Sequence, residues 1–287
     1  MANNFDSTLV AKILSQTAVT KVQEKLAMLA MFTTDFSNEV RDQRSRTVLV
    51  PFVSGGSAVQ SNPTNFETGD TYVKNASIAM NHISKSFYIT SADYGNGLRL
   101  ESLAKYNMGV VTTAIEAAVF ALLTEANYAT QTAASLSAIT AGGMTAANLK
   151  TLWGQVPGDN KIAILKDTEF ANILPGDLYG YDITKNKSGF GYNYLDRSGS
   201  GFASAGSKLV AFGCDPAAIV MASAIPQYTT PVADLLNSTV VDVPGVGLSI
   251  QTNLWASSIS RNTWASFDIL FGAAVGDSSA LKFIKTA

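Results

Sequence analysis

Cysteine and histidine are almost missing from these 287 residues, with one of each, Cys214 and His82. A single cysteine excludes a disulfide framework within the chain and a Cys-rich metal site. A single histidine means that any Ser-His-Asp chemistry has to pass through His82. Charge is also scarce, at 15% of residues with a formal net charge of -2. Binding nucleic acid through phosphate contacts needs clustered Lys and Arg, and so weak a charge gives no basis for such a partner. The opening MANNFDSTLV lacks a basic segment followed by an apolar run, so no secretory signal is read. The apolar run Ala117–Leu123 is far short of the roughly 20 residues of a membrane span. Synthesis or assembly in a cytosol is expected, with no membrane partner. The length fits one large domain or two intimate ones.

The remaining chemical inventory is thin. His82 lies mid-strand in an alternating segment, and no Ser-centred G-x-S-x-G elbow occurs, so a structural role is read for it. Cys214 follows a strand and precedes Asp215-Pro216, with no histidine near it in sequence; a buried packing thiol is read. GFASAGSK, 201–208, approaches a phosphate loop. That loop needs Gly-Lys-Ser/Thr after a buried strand, whereas the order here is Gly-Ser-Lys after NYLDRSGS. A mobile surface loop is expected instead. Asp93, Glu101, Glu116 and Glu125 share no face that would hold a metal. No catalytic residue, cofactor or metal is therefore assigned, and the chain is read as a non-enzyme. The run NEVRDQRSR, 38–46, is either a solvated connector or an inter-subunit ion-pair cluster through Arg41, Arg44 and Arg46. The sequons at Asn75, Asn186 and Asn237 carry no information without a secretory route.

Small residues are abundant where charge is scarce, a composition that suits a surface covered by copies of the same chain. Residues 6–32 read as a helical arm or two short helices capped by Asp6 or Ser7, with Leu9, Ile13, Val22, Leu26 and Leu29 at helical spacing. TVLVPFV, 47–53, and YVKNASIAMNHISKSFYIT, 72–90, read as two strands around a polar, turn-rich tip. In the second, apolar parity switches, predicting a bulge near His82 and Ile83. Such a hairpin is marginal alone and needs a surface to lie on.

Leu98 to about Asn127 reads as one helix of roughly 40–45 Å. Leu100, Ala104, Met108, Val111, Ile115, Ala118 and Leu122 form its main apolar stripe. Leu103, Val110, Ala114, Ala117 and Ala121 widen the stripe sideways. Lys105, Thr112, Thr113 and Glu116 mark a narrow polar arc that contains Phe120. An ordinary surface helix has one apolar stripe, so this one is expected to be covered on at least two sides. Beyond it a mixed region runs through strands at 161–166, 209–213, 217–222, 247–254, 264–275 and 280–285. Short helices are expected at 147–155, 167–174 and 231–237, and a Gly-rich irregular stretch at 175–208. The fold class is α+β.

The succession of helical arm, long two-stranded excursion, long helix and mixed domain with closing strands resembles the major capsid (coat) protein of tailed bacteriophages, the Hong Kong 97-type fold. RTVLVPFV…NFETGDTYVKNASIAMNHISKSFYITSAD is similar to that family's extended loop. LRLESLAKYNMGVVTTAIEAAVFALLTEAN is similar to its spine helix, and GLSIQTNLWASSISRNTWASFDILFGAAVGDSSALKFIK to its closing strands. The resemblance implies an N-terminal arm at 1–46 and an extended loop at 47–92. It implies a peripheral domain at 93–134 and 264–287, and an axial domain at 135–263.

The function implied is that of a major capsid protein assembling as hexamers and pentamers into an icosahedral shell around packaged double-stranded DNA. The chain would belong to the virion and be assembled in the host bacterial cytoplasm. Its partners would be itself, a separate scaffolding protein, a portal, the packaged DNA by non-specific proximity, and in some shells a decoration protein. The starting Met favours a separate scaffolding protein over a cleaved leader. Arg41, Arg44, Arg46, Phe66, Tyr72, Lys85 and Phe120 are expected at subunit contacts, with Phe120 packing against the arm or a neighbour's extended loop. Some relatives cross-link Lys to Asn. Lys74 and Lys85 fall in the loop, but no partner residues can be matched to them. The alternative is an encapsulin-like nanocompartment shell of the same fold, enclosing an enzyme cargo.

Overall fold

The computed structural model describes residues 6–35, 47–53, 73–90, 93, 96–128, 139–174, 189–203, 208–226, 234–257 and 262–286. Helix α1, Ser7–Lys25, starts where the Asp6 carboxylate accepts from the Thr8 and Leu9 amides, at 3.0 and 3.1 Å. It runs unbroken through Thr17 and Thr20 and then tightens into a 3-10 turn at Ala27–Met31. Its buried stripe is Val10, Leu14, Ala18 and Val22 at strict i, i+4 spacing, while Leu9 of the predicted stripe is exposed. The stripe is set by what lies beneath it, because α1 packs on strands and a second helix of its own chain. The segment predicted to be an arm is thus core in its described part.

Among the described residues twelve strands form three sheets. In chain order they are β1 Thr33–Asp35, β2 Thr47–Val53, β3 Val73–Ala79, β4 Asn81–Ile89, β5 Ile162–Lys166 and β6 Tyr194–Ser198. They continue with β7 Leu209–Cys214, β8 Ile219–Ala224, β9 Leu235–Val243, β10 Leu248–Ala256, β11 Thr263–Val275 and β12 Leu281–Lys285. The six-stranded sheet has the order β1-β8-β11-β10-β9, and β4 also pairs with the long β11. Helices α1 and α2, Gly97–Phe120, cover its inner face. A four-stranded sheet, β12-β7-β5-β6, carries α3 Ala146–Gln155 and α4 Asp167–Ile173. Its other face, through Ile162, Ile164, Phe212 and Phe283, joins the main core.

These sheets divide the chain differently from the predicted domains. β8, β9 and β10, assigned to the axial domain, are hydrogen-bonded into the same sheet as β4 and β11. The closing strands separate, β11 in the large sheet and β12 against β7 in the small one. Alternation identifies a strand without naming its neighbour, so the sequence held no signal for this split.

The parity switch is present, but not as the expected bulge: His82 and Ile83 pair with β11 in unbroken register. Buried positions are even through Met80 and odd from Ile83. The strand breaks at Met80, where it changes partner from β2 to β11. On the near side of the break, Val48, Val50, Ile78 and Met80 pack over Val220 and Ala222 on the outer face of the large sheet. The hairpin base therefore lies on its own subunit; its tip is outside the described residues. It crosses directly over Gly272, where an added Cβ would stand 2.5 Å from both the Ala79 carbonyl oxygen and Ile78 Cγ2.

Candidate assembly surfaces

Helix α2 starts at Asn96, whose side-chain oxygen accepts from the Leu98 amide at 3.1 Å. It ends near Phe120, earlier than predicted. Asn127 Nδ2 donates to the Leu122 carbonyl at 2.7 Å, and the buried Tyr128 hydroxyl donates to the Ala218 carbonyl at 2.9 Å. Together they tie the chain down after the last turn.

The orientation of α2 reverses part of the sequence reading. Leu100, Ala104, Met108, Val111 and Ile115 are buried as expected. Thr112, Glu116 and Phe120, from the predicted polar arc, are buried as well. The Glu116 carboxylate accepts from the hydroxyls of Ser198, at the end of β6, and Ser200, just after it, which satisfies it inside. Phe120 packs edge-on against Phe202 and Phe212, centroids 5.1 and 5.7 Å away. Phe120 is fully buried by its own chain, so it is not the contact for an arm or a neighbour's loop predicted above. Phe202 belongs to the Gly-rich stretch read as a mobile surface loop; its first part, Gly201–Ala203, is a 3-10 turn in the core.

The side of α2 left open is mixed: Glu101, Ser102, Lys105 and Thr113 are exposed along it, and an apolar strip runs between them. Tyr106 is 74% exposed and Val110 44%, and Ala114 and Ala118 are exposed beside them. A groove runs along this side, lined by Ala114, Ala118, Leu122, Ile83 and Ala273. Across the large sheet, Tyr88, Trp264 and Trp255 form an aromatic row on the outer face. The two indoles are stacked at 6.3 Å, with Tyr88 edge-on to Trp264 at 5.9 Å. Trp255 and Trp264 are opposite each other in the β10–β11 register. Their positions flanking the 257–262 connection were the signal available in sequence. Which face they share was not.

Of the residues expected at subunit contacts, Arg41, Arg44, Arg46, Phe66 and Tyr72 lie outside the described residues. Lys85 is not in the hairpin but in β4 of the large sheet, opposite Phe267 and half-buried. Lys74 is in the hairpin and exposed.

The lone histidine sits in a polar cluster on the large sheet. His82 Nε2 meets Asp268 Oδ1 at 3.0 Å. Asp268 is buried, and its other oxygen accepts from Asn253 Nδ2 at 3.0 Å and from the Ser266 hydroxyl. The Ser266 hydroxyl thus donates to the carboxylate. Among the described residues no group of three or more His, Cys, Asp or Glu could hold a metal. No described helix is long and apolar enough to cross a membrane.

Cys214 is fully buried. Burial, with the adjacent Asp215 carboxylate, pushes its thiol far above the ordinary range. As the lone thiol, it should react with a maleimide only at the rate of global unfolding. Labelling should rise steeply through the denaturant transition; rapid stoichiometric labelling of the native chain would contradict this packing.

No family model and no curated protein matches the chain. Solved structures do. The chain is similar to a virus-like particle from Pyrococcus furiosus, at 10% identity and TM-score 0.54, over 96% of this chain and 98% of that one. It is similar to the capsid of an empty GTA particle, at 13% identity and TM-score 0.53, over 92% and 90%. It is also similar to the capsid of the cyanophage P-SCSP1u, at 12% identity and TM-score 0.51, over 90% and 86%. The fold is the α+β Hong Kong 97-type capsid fold.

Proposed function

We propose that this chain is the major capsid protein of a tailed bacteriophage, building an icosahedral shell of hexamers and pentamers around double-stranded DNA. The observation that carries this reading is the open apolar strip of α2, Tyr106, Val110, Ala114 and Ala118, with its groove, in a chain of this fold. Contiguous apolar surface of this kind marks a binding face. Heterologous contacts between copies close rings when the rotation between them closes. In this reading the large sheet with α1 and α2 is the peripheral domain, and the small sheet with α3 and α4 is the axial one. The hairpin base is anchored over Gly272, and in this reading the exposed Lys74 on it lies toward a neighbouring copy.

The role is structural and needs no catalysis. Weak net charge suits enclosure of DNA by proximity and not by sequence. A scaffolding protein, a portal and, in some shells, a decoration protein complete the set of partners. The chain's place is the virion, after assembly in the bacterial cytoplasm.

The test is electron microscopy of the chain expressed in bacteria, alone and with a scaffolding protein. Closed shells are expected, and nucleic acid inside shells from infected cells. A protein cargo in their place would move the reading to a nanocompartment shell. A chain that stays monomeric under both conditions would end it.

A further inference from the structure

Strand edges are templates for pairing, and natural proteins blunt them with Lys, Pro, bulges or brevity. Among the described strands the outer ones are β1, β2, β3, β4, β6, β9 and β12, the last met on its outer side by the Ile139 amide. β1 has three residues. β2 contains Pro51, β3 Lys74, β4 Lys85, β6 Arg197, and β12 Lys282 and Lys285. β9 is the exception. LLNSTVVDV has nine residues with neither a cation nor a proline. A register shift against Leu254 and Trp255 places its one irregularity at Leu236, near its start. Asn237–Val243 is left as a regular run, and no described strand pairs with its outer side. Val240, in the middle of this run, is 45% exposed.

We propose that β9 is an interface strand, with Asn237–Val243 pairing antiparallel to the same strand of a second copy about a two-fold axis at Val240. The only charge in the run, Asp242, sets the direction of pairing between two copies. Parallel in-register pairing would set Asp242 against Asp242, a repulsive contact. In the antiparallel arrangement Val240 faces Val240, and each Asp242 faces a Ser238 hydroxyl. The two carboxylates then lie four residues apart along the strands, about 13 Å. Every other described edge long enough to pair would bring a lysine, an arginine or a proline into the ladder. The contact is isologous, so it closes on itself and joins copies in pairs. It does not depend on whether those pairs go on to build a shell.

Sedimentation velocity of the unassembled full chain across a concentration series tests it. The wild type should show a monomer–dimer equilibrium. Val240→Lys, which opposes two cations at the axis, should weaken it by at least about tenfold. Val240→Thr should leave it within about twofold. Because Cys214 is buried, Val240→Cys should give a disulfide dimer on mild oxidation with no competing thiol. Amide exchange over 237–243 should slow as concentration rises in the wild type and not in Val240→Lys. Dimers whose 237–243 amides exchange independently of concentration, or a chain monomeric in every variant, would overturn the proposal. Closed shells in which 237–243 exchanges as fast as in the monomer would overturn it too, while leaving the capsid reading intact.

Discussion

Phe120→Ala should destabilise the unassembled chain by about 3–5 kcal/mol, the range for removing a fully buried aromatic ring. The ring sits at the junction of three elements: the last turn of α2, the Gly201–Ala203 turn and β7. Phe202 and Phe212 converge on it, and Gly201 passes so close that a Cβ there would stand 2.7 Å from the Phe120 ring. Neighbours this tightly placed on rigid elements relax little into a void, so the cavity penalty adds to the lost transfer energy. Denaturant unfolding of the lone chain measures the effect. The location of the loss matters as much as its size. If Phe120 contacted another subunit, the lone chain would barely notice the change and only assembly would suffer. A loss under about 1 kcal/mol in the monomer would therefore refute the intrachain junction described above.

The second large effect is on assembly. Gly272→Ala should release the hairpin base from the large sheet, with a loss of about 1–3 kcal/mol. The new methyl would meet the Ala79 carbonyl, which is backbone and cannot rotate away. β11 is held on both sides, by β8 and β4 on one and β10 on the other, so the hairpin is what yields. Amide exchange should rise over 47–53 and 73–79 and stay unchanged in α2. If the hairpin tip reaches a neighbour, particle yield should fall sharply although the subunit remains folded. Gly109→Ala is the control. No atom outside the helix lies within 4 Å of its added Cβ, so it should stabilise α2 by about 1 kcal/mol. Unchanged exchange over the hairpin in Gly272→Ala would mean that the close crossing does not hold it.

Much of this was legible in particular residues. The strand break shows as the slip from Ile78 and Met80 to Ile83 and Phe87, because a period of two cannot change parity without an interruption. The buried Glu116 was not legible. On a helical wheel it belongs with Lys105 and Thr113, and only Ser198 and Ser200, more than eighty residues away, make its burial tolerable. The same distance hides the fate of Phe202, which reads as a loop residue among glycines.

The sequence by itself determined the local choices: where α1 and α2 begin, which segments are extended, the parity switch, and the poverty of reactive groups. These follow from periodicity, capping and composition within a few residues. Tertiary structure alone decided which side of α2 turns inward, which strands share a sheet, and which edge remains open. A helix with apolar residues on two sides satisfies the hydrophobic effect equally well in either orientation, because that force has no direction. The choice falls to contacts between residues far apart in the chain: the two serines that meet Glu116, the rings that enclose Phe120, and the glycine that lets the hairpin cross.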